Sequence, residues 1–322
     1  MIDLAIEELI PNIISYDIFR NKRTTYISQL TILTIKSLLP MEKTVGNSID
    51  YKRFTEELKL WEEYCTGEKV PLLNTLSTKD KSSYLSYSDD TYYTRMIPII
   101  VANKDWEIIQ EEIIKNILYF SGNVENLFEW LLISLLINLR KMAYQEKIEE
   151  LKNYIINFSQ TEFIDKYKEY FQISTENIPN TFKIKFEMER IALLNILNGE
   201  ESNKYPNFQD LLYINHDCSP CTSIGKIVYN SCESYNHQII DDFYINMNKY
   251  VLKLRNGRID LEDLKIKEYI IPDIFSFEEG DQFFHSLLNY SKVIKKEAKA
   301  GCLTSLINTK SGNYLFKRDP SS

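Results

Sequence analysis

The chain has 322 residues, 44% of them hydrophobic, and 38 Lys and Arg against 46 Asp and Glu leave a net charge of −8. That acidic balance, with no basic cluster, argues against nucleic-acid binding, which relies on Lys and Arg to neutralise phosphates. Only 9 Gly and 9 Pro are present, fewer than strand-rich folds need for their turns, so helices are favoured.

Five cysteines, Cys65, Cys218, Cys221, Cys232 and Cys302, are an odd number in a long chain, which does not read as a small disulfide scaffold. The opening Met1-Ile2-Asp3-Leu4-Ala5 has neither a basic start nor the apolar core of a signal peptide. The most apolar run, residues 130–139, falls well short of the ~20 residues that span a bilayer. A cytoplasmic protein with no membrane association is therefore expected.

In chain order, residues 26–39 place Ile27, Leu30, Leu33 and Leu38 near helical spacing, and Pro40 ends the run. Asp50 is a good cap for a helix over 50–65, where Phe54, Leu58, Trp61 and Cys65 form one stripe. Residues 66–94 are rich in Ser, Thr, Asp and Tyr and read as a long loop or short-helix segment. Residues 96–103 are apolar around Pro98. Asp105 caps a helix over 105–119, with Ile109, Ile113 and Ile117 inward. Ser121-Gly122-Asn123 is a turn, and residues 124–142 are a helix buried on all sides. Residues 145–172 are amphipathic, residues 177–180 are a break, helices follow over 183–198 (ended by Gly199) and 207–214 (capped by Asn207), and a last one runs through Ile224, Ile227 and Val228. After about residue 240 the pattern changes. Residues 251–254 before Asn256-Gly257 read as a strand and tight turn, Ile270-Ile271 as another strand, and Tyr314-Leu315-Phe316 after Ser311-Gly312-Asn313 as a third. This divides the chain into a helical domain, 1–238, and a small mixed appendage, 239–322.

The order of these segments resembles the ADP-ribosylglycohydrolase family. Ile13-Ile14-Ser15-Tyr16-Asp17-Ile18 is similar to that family's opening element, with Asp17 on its Asp. Arg23-Thr24-Thr25-Tyr26 stands at its Thr-Asp-Asp-Thr helix start. The helix from Phe54 to Trp61, the element Ser88-Asp89-Asp90-Thr91-Tyr92-Tyr93-Thr94-Arg95-Met96-Ile97-Pro98, and residues 215–222 resemble its Trp helix, its Met-Arg-Pro element and its late metal motif. The resemblance covers residues 10–235 and implies an all-α fold, two magnesium ions held by carboxylates, and cleavage of a glycosidic bond to ADP-ribose.

The departures shape the functional expectation. Two hard cations need several oxygen ligands, usually carboxylates. The first motif offers Thr24, Thr25 and Tyr26, and the second Ser219, Pro220 and Cys221. The expectation is a catalytically degenerate relative with no cofactor, binding a nucleotide-like ligand or a protein partner in the ancestral cleft. A bacterial defence or immunity role suits such a protein. Its ligand-binding residues would be Thr24, Thr25, Ser88, Tyr92, Arg95, Asp217 and Ser219. Two alternatives stand beside it. One is an active hydrolase with a rearranged site, in which Asp17, Asp89 and Asp90 carry proton transfer or, with Asp217, hold magnesium. The other is a purely structural helical module.

Other clusters have plainer readings. Asp89-Asp90 also suits a helix cap with a solvated neighbour, and Arg95 a structural ion pair. Tyr84, Tyr87, Tyr92 and Tyr93 crowd one stretch and could stack on a base, although Tyr is abundant throughout, at 22 residues. Cys218, Cys221, Cys232 and His237 have the count of a zinc site. A helix after Cys221 would carry Cys232 about 16 Å away at ~1.5 Å per residue, so no metal is expected there. His285, after Phe283-Phe284, is expected to pack at the edge of the appendage.

Overall fold

The computed structural model describes residues 5–67, 80–88, 90–158, 160–174, 178, 180–214, 219–230, 240–299 and 301–318. Among these, thirteen α-helices precede a small antiparallel sheet. The chain is mostly helical, as its composition suggests. Asp89, Asp217, His216, Cys218, Cys232 and His237 lie outside the described residues.

Helices α1 (Leu9–Asn21) and α2 (Tyr26–Lys36) are joined by a short turn, in which Lys22 takes a left-handed conformation at φ 59°. The helix expected to run to residue 39 stops at Lys36. Strand β1 (Leu38–Pro40) then pairs with β2 (Asn47–Ile49). Helix α3 (Tyr51–Tyr64) is capped by Asp50, whose carboxylate accepts from the Lys52 and Arg53 amides. Its apolar stripe buries Phe54, Leu58 and Trp61. A short α4 (Lys81–Ser86) leads to α5 (Tyr93–Ala102). All ten α5 residues are buried, and Pro98 sits inside the helix. A proline in a helix interior forfeits a backbone hydrogen bond. Here burial on every side outweighs it, because α5 packs against α1, α2 and the next two helices, α6 (Trp106–Phe120) and α7 (Val124–Asn138).

Helix α7 is the centre of the molecule, with thirteen of its fifteen residues buried. A helix apolar on all faces has nowhere else to go. Around it run α8 (Tyr144–Asn157), α9 (Gln160–Tyr167), α10 (Asn180–Leu197) and α11 (Pro206–Leu212). Phe128, Phe158, Phe163 and Phe186 form a ring cluster with centroids 4.8–5.7 Å apart. Such pairs add about 0.5–1.5 kcal/mol each beyond their buried area. Helix α12 (Ser223–Asn230) closes against α1 and α11.

The C-terminal region corrects two sequence expectations. Residues 251–254 are not a strand but the last turn of α13 (Asp242–Arg255). Val251 and Leu254 are both buried and three residues apart, so they share one helix face. Gly257, at φ 61°, follows the helix C-terminus instead of turning a hairpin. Ile270 and Ile271 are half-exposed coil. The third expected strand is present. A four-stranded meander runs β3 (Gln282–His285), β4 (Asn289–Lys299), β5 (Cys302–Thr309) and β6 (Gly312–Arg318). Gly312, at φ 120°, takes the turn between β5 and β6.

One core joins these parts. Helix α13 packs on α1, α2 and α5, and β6 packs on α3. The Arg255 guanidinium donates to the carbonyls of Ile100, Val101 and Asn103 at the end of α5. Tyr64 on α3 meets Tyr314 and Phe316 on β6 edge-on, at 5.0 and 5.4 Å.

Candidate functional site

The cleft and the residues around it are built by α1, α2, α5 and α12. Asp17 on α1 is completely buried. Its Oδ2 accepts from the Thr25 amide at 2.7 Å, the Ser28 amide at 3.1 Å and the Ser28 hydroxyl at 2.5 Å. Its Oδ1 accepts from the Thr25 hydroxyl at 2.6 Å and Asn21 Nδ2 at 2.8 Å. Thr25 and Ser28 are the N-cap and third residue of α2. Helix starts leave amides without intrahelical partners. Here the missing cap comes from the preceding helix, and Asp17 caps α2 from outside it.

The start of α12 repeats this arrangement. Asp210 on α11 accepts from the Cys221 amide at 3.0 Å, the Thr222 amide at 2.8 Å and the Thr222 hydroxyl at 2.6 Å. The Thr222 hydroxyl in turn accepts from the Gly225 amide at 3.0 Å, which caps α12. A Cβ on Gly225 would stand 2.1 Å from Asp210 Oδ2, so this close approach requires glycine. A third carboxylate, Glu129 on α7, takes the Asn207 amide at 2.9 Å near the start of α11. Burial pushes the Glu129 pKa up, and the Asn207 and Phe208 hydrogen bonds oppose that rise.

Between α1 and α12 lies a cleft of about 600 Å³. Tyr16 lines it. The Tyr16 hydroxyl donates to Ser223 Oγ at 3.1 Å and accepts from Arg20 Nη1 at 3.3 Å. The hydrogen bond to Tyr16 raises the pKa of Arg20 further, so the cleft carries a fixed positive charge. Lys226 adds a second cation, and Phe19 and Tyr229 add rings. Ser219 and Cys221 line the α12 side, which brings the opening element and the late motif to one cavity. Among the described lining residues none is acidic. Tyr93, at the start of α5, lies within electrostatic reach of Tyr16, Tyr26, Asp90 and Asp17, although burial is the main reason its pKa is pushed well up.

The sequence candidates distribute unevenly around this cleft. Ser219 lines it. Asp90 is exposed nearby. Asp17 and Thr25 are buried in the cap of α2. Thr24 lines a different cavity. Ser88 is exposed and donates to Asn126 Oδ1 at 2.8 Å. Tyr92 is fully buried against Trp130, with ring centroids 5.7 Å apart. Arg95 is also fully buried, its guanidinium 4.5 Å from the Tyr92 ring centroid and 4.6 Å from that of Phe120. It donates to Thr91 Oγ1 at 3.4 Å, so its charge is spent inside the core. Asp89 and Asp217 lie outside the described residues.

Among the described residues, the groups present do not fit the magnesium pair implied by the sequence resemblance. Both Asp17 oxygens are engaged by donors of α1 and α2. Among the described residues no three His, Cys, Asp or Glu side chains converge on a metal position. Sequence reading missed Tyr16, Arg20, Ser223 and Lys226. Its one usable signal was spacing. Asn12, Ser15, Tyr16 and Phe19 recur at three and four residues, which marks one helix face. Comparison of the chain with protein-family models, with curated proteins and with solved structures finds no match.

Proposed function

We propose that the chain is a divergent ADP-ribosylglycohydrolase-like protein whose α1–α12 cleft binds a nucleotide-like anion without cleaving it. The observation that carries this reading is the lining of the cleft: Arg20 and Lys226 for charge, Tyr16, Phe19 and Tyr229 for rings, and no acidic side chain among the described lining residues. Guanidinium and ammonium groups pair with phosphate oxygens, and aromatic faces hold bases. Glycosidic cleavage asks for a pair of reachable carboxylates or for metal-bound oxygen ligands. Asp17, the carboxylate of the opening element, is turned inward and saturated. The segment order and the helical body favour the family assignment, and the capping role of Asp17 and Asp210 favours binding over catalysis.

Calorimetry of the full chain tests this reading. ADP-ribose is expected to bind without magnesium, and Arg20→Gln is expected to weaken that binding by about tenfold, ~1.4 kcal/mol. Magnesium alone is expected to give no heat. Tight magnesium binding together with release of ADP-ribose from an ADP-ribosylated protein, lost in Asp90→Asn, would establish a working hydrolase instead.

A further inference from the structure

A second cavity, of about 280 Å³, lies where the helical body meets the sheet. Its chemistry differs from that of the α1–α12 cleft, with which it shares no lining residue. None of the described lining side chains is charged. Hydroxyl, amide and aromatic groups converge from four directions: Gln29 on α2, Tyr64 at the end of α3, Tyr244 on α13, and Ser311 with Tyr314 at the β5–β6 turn.

Gln29 is the most informative of these. Its Oε1 accepts from the indole N–H of Trp61 at 3.0 Å and from the Thr66 amide at 3.1 Å. Both partners can only donate, so the amide oxygen must face them. That fixes the orientation of the side chain and leaves its two N–H groups for whatever occupies the cavity. Trp61 is fully buried, so the orientation is held by the core and not by the ligand. The Ser311 hydroxyl lies 3.1 Å from that of Tyr314 and 3.0 Å from that of Thr309, which itself donates to the Gly312 carbonyl, so this chain of hydroxyls keeps acceptor capacity for a ligand. The Tyr64 and Tyr314 rings meet at 76°, with centroids 5.0 Å apart. Edge-to-face rings form a corner, not the parallel slot that a planar base would fill.

We propose that this cavity is a binding site for a neutral saccharide, one sugar ring in size. A sugar ring presents hydroxyls around its rim and an apolar C–H face. Hydroxyl and amide groups beside the Phe243, Tyr244 and Tyr314 rings that line the cavity match both. With no charged side chain among the described lining residues, phosphorylated or carboxylated ligands are disfavoured, since none of those residues would offset their desolvation. The volume holds one ring and is too small for a dinucleotide.

Saturation-transfer NMR on the full chain, with D-glucose, N-acetylglucosamine and D-ribose as probes and glucose 6-phosphate as the charged control, tests the proposal. At least one neutral sugar is expected to receive transfer at its ring protons, and the phosphate ester is expected to receive none. Gln29→Glu keeps the acceptor for Trp61 and Thr66 but removes both donors and adds a charge. It is expected to weaken the sugar by about tenfold or more. Ser311→Ala, on the hairpin, is expected to weaken it as well and serves if Gln29→Glu fails to fold. No transfer to any neutral sugar, preference for the phosphate ester, or undiminished binding in both variants would overturn the proposal. Because the cavity is separate from the cleft, a negative ADP-ribose titration leaves it standing.

Discussion

Asp17 is a candidate for proton transfer by sequence, and five donors hold it as a structural cap. Removing a buried acceptor leaves its donors unsatisfied, a cost of about 1–3 kcal/mol per group. Asp17→Ala is therefore expected to lower unfolding stability by roughly 3 kcal/mol, read as a fall in the urea midpoint. A stability unchanged by Asp17→Ala would remove the capping role. His285 shows the same influence of burial on a base. It is fully buried, its Nδ1 accepts from the Leu287 amide at 3.1 Å, and Nε2 has no hydrogen-bond partner among the described residues. Burial, with a smaller contribution from the Lys36 charge, pushes its pKa down from 6.5 to about 4. Above pH 6.5 the ring is neutral in both folded and unfolded chains. Below that the unfolded chain takes a proton that the folded one refuses, so stability falls as pH drops toward about 4. Urea midpoints measured at about pH 7 and about pH 4.5 should differ less in His285→Phe than in the native chain.

Helix starts are where this sequence is hardest to read and where the structure is most specific. Asp50, Asp105 and Asn123 cap their own helices, and each cap is visible as a polar residue before an apolar run. The starts of α2, α11 and α12 take their acceptors from other helices, namely Asp17, Glu129 and Asp210. No local pattern announces such a partner, because the eight or more residues between donor and acceptor are set by the turn of the fold. The expected Asn207 cap failed for this reason. Its amide is the group being capped, while Tyr205, at φ 57°, and Pro206 make the entry to the helix. At α12 the device can be tested through Gly225. Gly225→Ala would place a methyl 2.1 Å from the Asp210 carboxylate. It is expected to destabilise the chain by about 1–3 kcal/mol and to speed amide exchange at Thr222 and Cys221. Protection unchanged at those amides would argue against the cap. The mistaken strand at 251–254 has a related cause. An alternation of four residues satisfies strand and helix spacing equally, and Asn-Gly serves a helix end as well as a hairpin.

At the scale of the whole molecule, one contiguous set of buried apolar side chains runs from Ile6 to Phe316. It includes Val251 and Leu254 of α13 and Val293, Ile307 and Phe316 of the sheet. Arg318 adds a polar tie across the same boundary, to Glu63 at 2.6 Å and Asp273 at 3.0 Å. A core shared in this way predicts one unfolding transition. Differential scanning calorimetry should give a single peak whose calorimetric and van't Hoff enthalpies agree, and two resolved peaks would show that the sheet melts as a separate unit. Among the described residues no helix is long and apolar enough to cross a membrane, in keeping with the short run at 130–139.

The sequence by itself determined the helical class, the buried character of α7, the extents of several helices and the strand at 314–316 after its turn. Each of these depends on the spacing of apolar residues and on caps or turns within a few residues, which is local information. Only the tertiary structure decided that Arg95 and Tyr92 are core residues, that Asp17 serves α2, and that Tyr16, Arg20 and Lys226 share a cleft with Ser219. Those assignments depend on which helix faces meet. A single chain does not display that pairing, because burial and hydrogen-bond partnership come from residues far apart in sequence, 207 positions for Tyr16 and Ser223.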